Sequence, residues 1–203
     1  MFLLTVGEAG LSEMEFYLWL FVLLAVQIFF YKLDNPREVV LDTESYDLDN
    51  VLPQAVMGLL IGLGLSSFIM LFGTYRGLPS PSYALFQVFF VANVETLWMI
   101  CFVTMLGTGN AAVYLWPVIF GIAHPVVRLN WFAGQFPLES FVGFAYAALM
   151  GAFFYLLWMG HRYVSETWKP FFGSVTPWAT HAILNLIVTV FLFSLWGLTL
   201  VPI

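Results

Sequence analysis

From Pro53 to Gly73 the chain runs without one charged side chain. A stretch of about 20 apolar residues is what a helix needs to cross the hydrocarbon core of a bilayer. In that medium no water satisfies the backbone, so each N–H and C=O must be paired inside the structure, and a helix does this within one segment. Five other stretches are predominantly apolar over a comparable length: about Phe16 to Tyr31, Tyr83 to Leu106, Ala111 to Asn130, Leu138 to Gly160 and Pro170 to Leu200. The expectation is therefore an all-α polytopic membrane helical bundle of about six transmembrane helices. Residues 1–203 form one integral membrane domain in this reading, with two accessory helices and an acidic loop in 1–82 and a four-helix core in 83–203. Only 9% of the 203 residues are charged and 62% are hydrophobic, whereas ordinary soluble domains carry roughly 25% charged residues.

Local signals divide the spans. Pro53 stands where a helix can begin, because the missing amide hydrogen costs least there. Gly77-Leu78-Pro79-Ser80-Pro81 is a break and Gly107-Thr108-Gly109-Asn110 a tight turn. Pro177 marks a kink or a start in the last helix. Gly58, Gly62 and Ser66 recur every four residues, a small-residue stripe that lets another helix approach closely. Gly143, Ala147 and Gly151 repeat the pattern in the fifth span.

Charge and cysteine content narrow the class further. The net charge of −6 comes mainly from the stretch 34–49 and from Glu8, Glu13 and Glu15, which argues against nucleic acid as a partner. One cysteine, Cys101, excludes an internal disulfide framework. The N-terminus lacks a basic leader, so the first apolar run reads as a retained span. Lys32, Arg37, Arg162 and Lys169 on one side, against Arg76 and Arg128 on the other, place the N-terminus outside and the 32–52 loop in the cytoplasm. The expected location is the cell membrane, as a multi-pass protein, with the bilayer itself as one partner.

Titratable residues inside the spans are few. Glu95 sits about 12 residues from either end of its span, roughly 18 Å at helical rise. An ionised carboxylate at that depth is costly unless paired. His124 lies about 13 residues into the fourth span, one turn after Phe120 and on the same helical face. His181 and Asn185 are likewise one turn apart in the last span. If that helix begins at Pro170, Glu95, His124 and His181 share a depth; a start at Pro177 leaves His181 shallow. A lone intramembrane His or Asn often serves only as an interhelical hydrogen-bond partner. His161, Glu139 and Glu166 read as solvated surface groups, and the many Phe and Trp as lipid-facing or interfacial bulk.

One carboxylate and two imidazoles in a dry cavity can activate a water, with Glu95 as general base and His181 with Asn185 as an oxyanion site. They can also ligate a divalent metal, since Glu95, His124 and His181 match a catalytic zinc set. Spacing does not separate the two.

Phe120-x-x-x-His124 and His181-x-x-x-Asn185 resemble the second and third motifs of the CAAX protease and bacteriocin-processing family of intramembrane endopeptidases, which includes type II CAAX prenyl endoproteases. Glu95 stands where that family's first motif, Glu-Glu-x-x-x-Arg, would fall, and the likeness covers about residues 83–190. The resemblance implies a glutamate-dependent peptidase without an obligatory metal or other cofactor. Glu95 and His124 would activate water, and His181 and Asn185 would stabilise the oxyanion. Its substrate would be a membrane-associated peptide or protein. In the first motif the second Glu is replaced by Thr96 and the Arg by Ile100; Arg128, one turn after His124, is a candidate substitute cation. The alternative is a catalytically silent relative, acting as a scaffold or accessory subunit among partner subunits of a larger membrane complex. A transporter relaying protons through Glu and His is a third class.

Overall fold

The computed structural model of the chain describes residues 50–106, 110–128, 138–195 and 198–200, together with several residues between 18 and 29. The expectations for the acidic loop 32–49, the turn at 107–109 and most of the first span lie outside the described residues. So do those that depend on the side chains of Arg128 and Glu139 or on the packing at Gly143.

The fold is all-α. Six α-helices are described: α1 (Val51–Phe72), α2 (Pro81–Leu85), α3 (Ala92–Leu106), α4 (Asn110–Arg128), α5 (Leu138–Met159) and α6 (Val175–Val190). A π-helical turn, Phe86–Val91, joins α2 to α3 without a break. The described residues between Leu18 and Phe29 are helical as well. Among the described residues, three stretches are long and apolar enough to cross a membrane: Val51–Phe72, Pro81–Thr104 and Phe144–Arg162.

Of the two starts expected for the last helix, the structure favours the one near Pro177, and the helix ends earlier than expected. It starts at Val175, not near Pro170, and it stops at Val190, after which Phe191–Leu195 is a β-strand. That strand, β2, pairs antiparallel with β1 (Thr74–Tyr75) and with β3 (Leu198–Leu200). Apolar composition reads this tail as helix, but Phe and Thr suit a strand as well. Pro177 lies in the first turn of α6, close to the start expected there. It occupies the third helical position, where its missing N–H is one the first turn leaves unpaired in any case.

The chain divides into two compact units, one of Trp98–Ala152 with Met1–Val40, the other of Leu41–Leu97 with Phe153–Ile203. In the second unit α1 and α6 are the principal pair, and the small-residue stripe explains it. Gly58, Gly62 and Ser66 are all buried. A Cβ on Gly58 would lie 2.5 Å from the Thr176 carbonyl oxygen, and one on Gly62 would lie 3.0 Å from the Thr180 carbonyl oxygen. Only glycine permits that approach. It brings the Thr180 hydroxyl within 3.1 Å of the Gly58 carbonyl while it also reaches the Thr176 carbonyl at 2.9 Å. Beyond the stripe, Ile69 packs on Val188. The predicted break after α1 is also present, with Gly77 at φ +107°, a backbone conformation that side-chain-bearing residues seldom adopt.

In the first unit, α4 and α5 meet around Trp116. Its indole N–H donates to the Gly151 carbonyl at 3.0 Å. Trp98 and Phe120 close over the same ring, with centroids 5.2 and 5.1 Å from it. Gly151 makes room for Phe120, since a Cβ there would meet that ring at 2.9 Å.

Candidate active site

Four residues were singled out by the sequence, and three of them belong to the second unit. Glu95 is on the first turn of α3, and His181 and Asn185 are one turn apart on α6. His181 Nε2 lies 3.2 Å from Glu95 Oε2, and both side chains are only 4% exposed. A carboxylate and a protonated imidazole removed from water together offset part of each other's desolvation through their opposite charges. The two meet although α6 starts at Val175, so His181 is only seven residues into its helix.

The Phe154 ring stacks on the His181 imidazole with centroids 4.7 Å apart and planes 27° from parallel. This contact fixes the plane of the imidazole from the face, while Glu95 fixes it from the edge. Asn185 is 3% exposed. Its side-chain Nδ2 has no hydrogen-bond partner among the described residues. An amide donor left without a partner in a dry interior is costly, on the order of 1–3 kcal/mol, so it stands ready for an acceptor.

His124 belongs to α4 in the first unit, one turn after Phe120. Phe120 is buried against Trp98, Trp116 and Gly151. The side chain of His124 lies outside the described residues. No group of three His, Cys, Asp or Glu side chains is placed to hold a metal among the described residues. Glu95 and His181 supply two donors of the expected set.

Thr96 and Ile100, at the positions where the first motif would carry its second Glu and its Arg, are buried, with Ile100 wholly inaccessible. His161 departs from a fully solvated reading. Its Nδ1–H donates to the Trp158 carbonyl at 2.8 Å, and the bond is partly buried. Glu166 is exposed and pairs with Lys169, as a surface charge should.

Three residues that shape this neighbourhood carry no motif: Phe154, Gln54 and Gln87. The two glutamines are inaccessible to solvent. Their signal was present in the sequence, because an amide within an apolar span is expensive and must find partners. Gln54 Oε1 accepts the backbone N–H of Val175 at 3.1 Å, and Gln87 Nε2 donates to Tyr83 Oη at 3.0 Å.

No family model, no curated protein and no solved structure matches the chain.

Proposed function

We propose that the chain is an intramembrane, glutamate-dependent endopeptidase that hydrolyses a peptide bond of a membrane-associated protein or peptide. It would reside in the cell membrane as a multi-pass protein and need no cofactor. The observation that carries this reading is the buried Glu95–His181 contact with the unsatisfied amide of Asn185 one turn away. Glu95 takes a proton from water as the oxygen attacks the peptide carbonyl. Asn185 Nδ2, buried and without a partner among the described residues, donates to the oxyanion that forms. His181 was expected beside Asn185 at the oxyanion; with Nε2 3.2 Å from the carboxylate, it is assigned instead to orienting the base. The proton held by Glu95 then passes to the leaving amine. His124 is assigned to assist Glu95 through the resemblance of Phe120-x-x-x-His124 to the family motif.

A second reading has its own support. Thr96 and Ile100 leave the first motif without its second carboxylate and its cation, and both positions are packed. A scaffold or accessory subunit that keeps Glu95–His181 only as an interhelical tie accounts for that loss.

Cleavage of membrane-tethered peptides by the purified protein separates the two, comparing wild type with Glu95→Gln and His124→Ala, each with and without chelator. Loss of cleavage in both variants, unaffected by chelator, supports the glutamate mechanism. Sensitivity to chelator moves Glu95 and the histidines into a metal site. A folded wild type that cleaves nothing across a broad set of peptides favours the scaffold.

A further inference from the structure

The turn that precedes Glu95 is not α-helical. The backbone N–H of Ala92 donates to the Gln87 carbonyl, five residues back, where an α-helix would use a spacing of four. A π turn takes one extra residue into the helix, and such turns are concentrated at functional sites. Its consequence here is rotational. On an unbroken α-helix, at about 100° per residue, Tyr83 and Glu95 would point roughly 120° apart, and Gln87 and Glu95 about 80° apart. Absorbing one residue removes about 100°, which leaves all three within about 20° of one face.

Packing agrees with this realignment. Gln87 and Val91, the two buried residues of the turn, continue the face on which Glu95 is buried. The turn packs against α6, the helix that carries His181.

Gln87 stands at the base of the turn, where its backbone supplies the five-residue bond and its side chain ties the turn to the preceding helix. The carbonyl accepts the first of these, and Nε2 makes the second by donating to Tyr83 Oη one turn earlier. Asn93 adds a third tie, donating its side-chain amide to the Phe89 carbonyl within the turn.

We propose that Gln87 is a positioning residue for Glu95, acting through the π turn that aims the carboxylate at His181. The proposal deepens the peptidase reading, since the group aimed is the base assigned there, but the aiming itself is tested without any substrate. Relaxation of the turn to α-helix rotates Glu95 by about 100° and takes its carboxylate off the imidazole.

The test is infrared spectroscopy of the full-length protein in lipid nanodiscs. The Glu95 band is the absorption missing from Glu95→Gln, and its shift when His181 is replaced by Gln is the signature of the contact. Gln87→Leu should abolish that His181-dependent shift, and the near-isosteric Gln87→Met should reduce or abolish it. Deletion of Phe89 removes the extra residue, so it should keep the wild-type signature, and in combination with Gln87→Leu it should restore the shift. Circular dichroism and a monodisperse elution profile establish folding for each protein. If Gln87→Leu does not fold, Gln87→Met and the Phe89 deletion decide. A full wild-type shift in the folded Gln87 variants overturns the proposal, and so does its loss in the folded deletion protein. Failure of peptide cleavage with these shifts behaving as expected would sink the peptidase reading alone.

Discussion

Gln54 on α1 caps α6 from across the helix pair: its Oε1 accepts the N–H of Val175, the first residue of α6, at 3.1 Å. Ser174 precedes that residue but makes no capping bond with its own side chain. A donor at the start of a helix has no partner within the helix, and in an apolar setting water is not there to replace one. Gln54 is therefore the reason α6 can start where it does, two turns before His181. Gly173 leaves the space, because a Cβ there would lie 2.7 Å from the Gln54 amide.

Replacing Gln54 by Leu removes the cap while keeping the volume. The expected cost is about 1–3 kcal/mol, the desolvation penalty of an orphaned backbone N–H. Equilibrium unfolding in mixed micelles measures it. A stability equal to wild type would mean that Val175 finds another acceptor.

Gly58 and Gly64 make a matched pair on α1. A Cβ on Gly58 enters the Thr176 carbonyl and the Ala179 side chain, whereas one on Gly64 meets nothing within 4 Å. Gly58→Ala should destabilise by about 1–3 kcal/mol through overpacking. Gly64→Ala should be neutral or slightly stabilising, since alanine is the better helix former by about 1 kcal/mol. The same unfolding assay reads both, and equal effects would show that α1 and α6 do not depend on the stripe.

Glu95 and His181 should be energetically coupled. Breaking a buried charge pair from one side typically costs about 3–5 kcal/mol, more than replacing both partners together. In a double-mutant cycle with Glu95→Gln and His181→Gln, the double variant should therefore be less destabilised than the two single costs added. Additive costs would place the side chains apart in the folded protein.

Trp116→Phe in the first unit deletes the N–H that bonds the Gly151 carbonyl and keeps most of the ring. A loss of about 0.5–2 kcal/mol is expected for one interhelical hydrogen bond in an apolar setting. Gly151→Ala pushes on Phe120 and should cost more, because the close atoms belong to the inner part of a buried ring. If Trp116→Phe proves the more damaging, the bond outweighs the packing.

Much of this molecule is determined locally. Long apolar runs impose helices because a backbone away from water must pair with itself, and α1 and α3–α5 lie close to where those runs stand. The Gly58–Gly62–Ser66 stripe foretold a close helix neighbour, and Glu95, His181 and Asn185 declared themselves because titratable and amide groups are expensive in such runs.

Other features came only with the tertiary structure. Which helix lies on the stripe is a matter of packing, and α6 holds that place through Thr180 and the Gln54 cap. That Glu95 meets His181 could not follow from depth counted along each helix, because α6 begins at Val175 and a π turn rotates the helix that carries Glu95. Periodicity presumes 3.6 residues per turn, and one extra residue breaks that assumption without leaving a mark in an apolar sequence. The end of α6 was hidden for a similar reason. Helix and strand both satisfy an apolar chain, and only the pairing of Phe191 with Tyr75 and of Leu192 with Thr74 selects the strand.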